Sequence, residues 1–459
     1  MHQLAGSVPH RSLRNLARKY GPIMHLKLGE VSAIVISSSE SAKEIMKTHD
    51  IAFADRPKLL AVEIITYDST NIAFAPYGDY WRQLRKICTL ELLSTRRVKS
   101  YRSIREEGVD DLVDYIRSSV NGLAINLTEK IFSFNNDTIS QTALGMKCKD
   151  QAEFFSTIKA VIELVGGFDI HDVFPSLKFL HFVSKARSTL EKAHHIIDRI
   201  FNDIIVQHQL KREMNKAQKV EHIHEDLVDV LLRIGESGDL QFPITIDNIK
   251  AVILDILTAG TETSSTTLDW AMAEMMRNPR IMKKAQNEVR QSMIGKTKIN
   301  EVDLEKLSYL KVVIKETLRM HPPVPLLLPR EARENVKIFG YDIPEKTRVI
   351  VNSWAIMRDP EHWKEPDEFI PERFESNDSY VDMKGTDFRY IPFGAGRRMC
   401  PGLTFGIASI ELPLAALLYH FDWSLADGIN PEELNMEETF GATSRRKENL
   451  SLIAYHFDP

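Results

Sequence analysis

Phe393-Gly394-Ala395-Gly396-Arg397-Arg398-Met399-Cys400-Pro401-Gly402 is the stretch that decides how this chain folds and what it holds. Three glycines and a proline around one cysteine make a tight loop, which feeds directly into an apolar helix beginning near Leu403. A sulfur at a helix N-terminus gains from the helix dipole, which lowers the thiol pKa. Backbone N–H groups in such a loop can point at the sulfur and tune an attached metal. Arg398 offers a guanidinium suited to a carboxylate or propionate. A lone cysteine is more commonly a buried structural residue, and a nucleophile would need a base that no nearby histidine supplies. Against both stands the spacing F-x-x-G-x-R-x-C-x-G, five residues of fixed type and order within ten positions.

Outward from this loop, the chain has 459 residues, 43% hydrophobic and 27% charged, enough for a large core. No Gly/Ser or Pro-rich linker and no repeat divides it, so the expectation is a single large domain. Lysine plus arginine (59) nearly balances aspartate plus glutamate (64), which argues against a nucleic-acid binder. Three cysteines, Cys88, Cys148 and Cys400, give no disulfide framework and suit a reducing compartment. The sequons at Asn126, Asn136, Asn377 and Asn449 are then chance matches. No signal peptide and no apolar span of ~20 residues is present; Leu403–Phe421 contains Glu411 and Pro413, which predicts a buried helix rather than a membrane span.

The periodicity predicts a mainly α chain with small β-sheets at both ends. Ile23–Leu28, Ser32–Ser37, Arg348–Val351 and Asn449–His456 read as strands, with helices from about residue 75 to 320 and a Pro/Asp/Glu-rich meander from 358 to 395. The longest expected helix is capped by Thr245 and stopped at Asn278-Pro279. Ile249, Val252, Ile256, Gly260 and Thr263 share one of its faces. Its middle, Ala259-Gly260-Thr261-Glu262-Thr263-Ser264, interrupts the apolar pattern at a cost in helix stability. Either a small-residue helix crossing or a ligand site with a proton path accounts for that.

At the cysteine loop the chain resembles the cytochrome P-450 superfamily, over essentially its full length, and the resemblance implies that family's fold. It implies haem b (protoheme IX) as cofactor, with Cys400 as axial iron ligand and Phe393, Gly394, Arg398 and Gly402 around it. Glu316-Thr-Leu-Arg319 and Pro371-Glu-Arg373-Phe374 resemble the family's structural Glu-Arg-Arg triad; Arg319 stands 81 residues before Cys400. Trp81 and Arg85 of Trp81-Arg-Gln-Leu-Arg85-Lys86 match the haem-contacting helix, and Arg330 matches a further propionate contact. Ala259-Gly260-x-Glu262-Thr263 resembles the oxygen-activating motif, which makes Thr263 the hydrogen-bonding partner of dioxygen and Glu262 the proton relay.

Pro76–Lys86, Thr48–Pro57 and Lys315–Pro323 resemble the plant microsomal group, and Gly166–Ile170 and Gln241–Thr245 its terpenoid hydroxylases. Members of that group begin with a membrane anchor and a proline-rich hinge, so Met1 is expected to mark a truncated chain from the cytosolic face of the endoplasmic reticulum. The implied pocket is roofed by Ile64–Phe74 and lined by Val252, Ile256, Ala259, Val324, Leu326, Leu327 and Phe440–Thr443. These apolar positions suit a terpenoid, with an alkaloid or phenolic substrate as the alternative. No G-x-G-x-x-G fingerprint supplies a flavin or nicotinamide site, so electrons are expected from NADPH-cytochrome P-450 reductase, with cytochrome b5 as a further partner. Arg82, Lys86, Arg96, Arg97 and Lys99 are either its docking face or a solvated surface. Phe174–Phe182 is either a helix contact or a patch dipping into the bilayer, and His194, His195, His222 and His224 read as solvated surface. Two rival functions remain: a haem-thiolate isomerase that works without O2, against which Thr263 argues, and a haem-dependent sensor.

Overall fold

A reciprocal cap fixes where the central helix starts. Thr245 Oγ1 accepts from Asn248 N (3.2 Å) while Asn248 Oδ1 accepts from Thr245 N (3.0 Å). The helix runs Ile246–Arg277, 32 residues, and stops at Asn278 because Pro279 disfavours helical geometry in the residue before it and opens the next helix, Pro279–Ser292. At 1.5 Å per residue it is ~48 Å long and crosses the whole molecule. It packs on Leu127–Leu144 and on Leu403–His420, the helix that follows the cysteine loop. Contrary to the expectation from sequence it is not the longest helix: Lys185–Gln218 has 34 residues.

The computed structural model describes residues 8–119, 122–146, 151–165, 170–177, 185–218, 225–238, 240–375, 381–439, 441 and 443–457. In the first sheet Ile23–Leu28 pairs antiparallel with Val31–Ile36, which pairs in parallel with Arg348–Val351; Arg330–Glu331 joins the far edge of the latter. The second sheet joins Ser451–His456 to Phe421–Leu425 and Ile125–Asn126, all antiparallel. Helices fill the space between, so the fold is mainly α with small sheets at its edges.

Leu403–His420 has the length and composition of a membrane-crossing helix, but 67% of it is buried inside the protein. Leu412, Leu414, Leu417 and Leu418 are fully buried in the main core, each contributing ~1.5–3 kcal/mol of transfer free energy. Among the sequons, Asn136 is buried within the Leu127–Leu144 helix and Asn126 caps it by accepting from Glu129 N. A glycan has no room at Asn136 and would disturb the cap at Asn126.

Candidate active site

The cysteine loop closes on itself when Cys400 N donates to Phe393 O at 3.0 Å. Gly394 and Gly396 both have φ +70°, where a side chain is strained. At Gly396 a Cβ would also stand 2.2 Å from Met46 O, so the loop lies directly on the helical segment Glu44–Thr48. Asp50 fastens it there: one oxygen accepts from Arg397 N (2.8 Å), the other from Arg330 Nη1 (3.3 Å). Cys400 lies deep in the fold and yet is solvent-accessible, because it opens on an internal space. Burial pushes its thiol pKa up; the Gly402 N–H and the charge of Arg85 only partly oppose this. The lowered thiol pKa expected from the helix dipole is therefore overturned for the free thiol.

Buried guanidinium groups surround the loop. Arg398 donates from Nε to Ala54 O (2.7 Å) and from Nη2 to Ala75 O (2.6 Å), while Nη1, also buried, has no acceptor among the described residues. Its pKa falls to about 9 through burial and the charge of Arg330. Arg330 is held by Asp50, Phe53 O and Ala395 O. Arg56, which the sequence reading did not single out, donates to Ala73, Leu328 and Pro329 carbonyls, and burial with Arg398 and Arg330 nearby lowers its pKa. The indole N–H of Trp81 donates to Ile72 O (3.0 Å), whereas the resemblance aims it at a propionate. Its ring is instead a platform, 4.3 Å beneath the Arg398 guanidinium and 5.8 Å from that of Arg85.

The central helix passes over this loop, with Ser264 and Phe393 both near Gly406. Ala259 is exposed and Ile256, Gly260 and Thr263 half-buried, although the helix runs through the interior. They open on the internal space. Thr263 Oγ1 donates to Ala259 O at 2.7 Å, leaving its lone pairs free to accept. Gly260 answers to packing: a Cβ there would stand 3.1 Å from Ile139 Cδ1 of the crossing helix. Glu262 is turned to the C-terminal segment, where Thr443 donates to it and Arg445 pairs with it.

Beneath the loop, the fully buried Glu316 accepts two bonds from Arg319 (2.7 and 2.9 Å) and one from Arg373 (3.0 Å). Arg319 also donates to the carbonyls of Met357, Pro366 and Glu368, locking the meander to the Ser308–Met320 helix. The pocket residues are divided. Val324, Leu326 and Leu327 are half-buried, and Leu327 Cδ1 lies 3.8 Å from where a Gly394 Cβ would be. Val252 is fully buried in the second core cluster and lines no accessible space, which corrects its pocket assignment. Phe440 lies outside the described residues. So do residues 178–182 of the Phe174–Phe182 stretch, while Phe174 packs against the core of the first sheet. His195 is exposed and His194 packs edge-on to Tyr67 (4.8 Å); His222 and His224 lie outside the described residues.

Fold and site together define a haem-dependent monooxygenase. The family model described as Cytochrome P450 matches residues 1–452, and the chain belongs to that family. Premnaspirodiene oxygenase of Hyoscyamus muticus is 54% identical over all of this chain and 91% of its own length. Desmethyl-deoxy-podophyllotoxin synthase of Sinopodophyllum hexandrum is 55% identical over 99% of this chain and 89% of its own length. Germacrene A hydroxylase of Tanacetum parthenium is 51% identical over 99% of this chain and 91% of its own length. A zebra fish cytochrome P450 structure with progesterone shares the fold at TM-score 0.83 and 23% identity, over 98% of this chain and all of that one. The family's cofactor is haem iron, and the residues present fit it. An accessible buried cysteine faces the internal space, and the unsatisfied Arg398 Nη1 and its neighbouring cations match an anionic carboxylate-bearing group.

Proposed function

We propose that this monooxygenase hydroxylates an apolar terpenoid at the space between Cys400 and the central helix. Cys400 supplies the thiolate to haem iron, flanked by Phe393, Gly394 and Gly402. Arg398, Arg330 and Arg85 hold the propionates, with Trp81 as the platform that orients Arg398 and Arg85. Haem, when bound, would supply the O2-activating chemistry that hydroxylation requires. The chain's own part is to hold the substrate, exclude water and deliver protons. Thr263, whose lone pairs are free, accepts a proton-bearing group beside the reacting oxygen, and Glu262 is its nearest carboxylate in sequence. Glu316, Arg319 and Arg373 hold the meander and take no part in the chemistry.

The observation that carries the substrate class is the apolar, accessible lining of Ile256, Ala259, Val324, Leu326 and Leu327. Relatives named for germacrene A and premnaspirodiene, 51% and 54% identical, agree with it. A relative at 55% carries a different substrate name, so an alkaloid or phenolic compound is the second reading. Electrons come from NADPH-cytochrome P-450 reductase at the endoplasmic reticulum membrane, docking on Arg82, Lys86, Arg96, Arg97 and Lys99, with cytochrome b5 as a further partner. Incubation with sesquiterpenes, diterpenes, monoterpenes, alkaloids and phenolics plus a plant reductase, read by mass spectrometry, tests this. Hydroxylated terpenoids are expected; turnover confined to the other classes overturns the substrate assignment.

A further inference from the structure

Asp255 stands one helical turn before Ala259 and has no part in the site described above. Its Oδ1 accepts from Asn71 Nδ2 at 2.7 Å and its Oδ2 from Ala73 N at 3.1 Å. Asn71, itself 1% exposed, accepts at Oδ1 from Phe74 N at 3.2 Å. Burial raises the carboxyl pKa of Asp255 to about 6, with only Asn71 and the backbone N–H groups of Ala73 and Ile72 opposing it. Among the described residues no cation offsets the cost of burying this group, and those hydrogen bonds hold it.

The same short segment is gripped from its other side. Ile72 O accepts from Trp81 Nε1, Ala73 O from Arg56 Nε and Ala75 O from Arg398 Nη2. Residues 71–75 are thus strung between the arginines around the cysteine loop and a carboxylate of the central helix. Beside them, Ile256, Ala259 and Thr263 face the internal space.

We propose that Asp255 is a positioning residue, clasping the Asn71–Phe74 segment as a roof over the space that faces Cys400. Through that roof it selects which molecules fit above the iron and how they lie. This rests on the reading of that space as the substrate pocket. Asp255→Asn turns one acceptor into a donor and sets it against a donor of the loop. Exchanging the two residues, Asp255→Asn with Asn71→Asp, rebuilds all three bonds, with polarity reversed only in the one between the two side chains. The carboxylate moved to position 71 would accept from Phe74 N and from the amide moved to position 255, whose oxygen would accept from Ala73 N.

The test uses haem-loaded protein and two probes, imidazole and 4-phenylimidazole, with binding read from the haem absorption shift. Imidazole needs only the iron, whereas the phenyl ring must fit under the roof. Asp255→Asn and Asn71→Ala are expected to change the ratio of the two affinities ~10-fold, the scale of one lost charge-assisted bond. Imidazole affinity stays as in the parent, and deuterium uptake at residues 71–75 rises. The exchanged double variant returns both ratio and uptake to the parent values. A parental ratio in both single variants overturns the proposal, as does a double variant that behaves like the singles. Should Asp255→Asn fail to take up haem, Asn71→Ala and the double variant decide alone. Absence of any imidazole shift in the parent protein would instead remove the reading of the pocket, and the clasp with it.

Discussion

Glu262 Oε1 and Arg445 Nε form an ion pair at 2.5 Å, and Thr443 Oγ1 donates to the same oxygen. The carboxylate beside Thr263 therefore has two tasks to be separated, tying down the C-terminal segment and moving protons. Glu262→Gln is expected to lower product formation ~10²-fold with haem retained, the scale of a lost general acid. Arg445→Gln, which keeps the carboxylate, should lower it less than about tenfold. Equal losses, measured as product per haem, would assign Glu262 to the tether alone.

Thr263 offers a cleaner case because its hydroxyl already gives its proton to Ala259 O. In the proposed function its part at the reacting centre would be acceptance. Thr263→Ala should bind haem and substrate, yet release NADPH electrons as hydrogen peroxide, with product down ~10²–10⁴-fold. Thr263→Ser should keep most of the coupling. The ratio of product to NADPH consumed reads the outcome, and an unchanged ratio in the alanine variant removes Thr263 from the proton path.

Arg398 combines a fixed fork with one free arm. Two arms are spent on Ala54 O and Ala75 O, leaving buried Nη1 for an anionic partner. Arg398→Leu should reduce haem retention ~10-fold or more, and Arg398→Lys should recover only part, because an ammonium cannot span the same carbonyls. Haem per protein after dialysis and the reduced carbon monoxide band near ~450 nm report this. Cys400→Ala should lose that band altogether.

The local half of the site was legible from sequence. Gly396 and Cys400 announce a tight loop before a helix, and Thr245 and Asn278-Pro279 mark both ends of the central helix. What sequence could not yield was made by residues far apart in the chain. Arg56 meets Leu328, and Asp255 meets Asn71, through packing that no local spacing encodes. Gly260 was open to two readings, and both find support: it faces the internal space, while the side chain of Ile139 on another helix leaves little room for a Cβ. The Cys400 thiol went against expectation for a related reason: burial, a property of the whole fold, outweighs the helix end, a property of the segment. Lys185–Gln218 escaped notice as the longest helix because mixed charge hides its length.

His420, at the end of the helix that begins after Cys400, gives the protein an acid limit. Burial pushes its imidazole down to about 4, helped by Arg117 and His456, against 6.5 in the unfolded chain. Between those values the unfolded chain binds a proton that the native state refuses, so stability is lost as pH falls through this window and is level above it. At ~1.4 kcal/mol per unit the loss is at most ~3 kcal/mol. Denaturation midpoints at pH 7 and pH 5 should converge in His420→Phe; an unchanged gap would remove His420 as its source.

The parallel pairing of Val31–Ile36 with Arg348–Val351 joins the opening of the chain to its last quarter. During synthesis the first hairpin emerges with one edge open and waits for more than 300 residues before its neighbour exists. At ribosomal rates that wait is roughly 15–60 s, long compared with the microseconds in which a hairpin forms. Ala33, Ile34, Val35 and Ile36, buried in the finished fold, lack that partner until then, so a nascent chain carries an apolar strand edge throughout. Yield in a host should therefore depend on chaperones that bind extended apolar segments, and on slower, cooler expression. A stalled chain ending before Arg348 should be captured by them, while one extended past the last strand should be released.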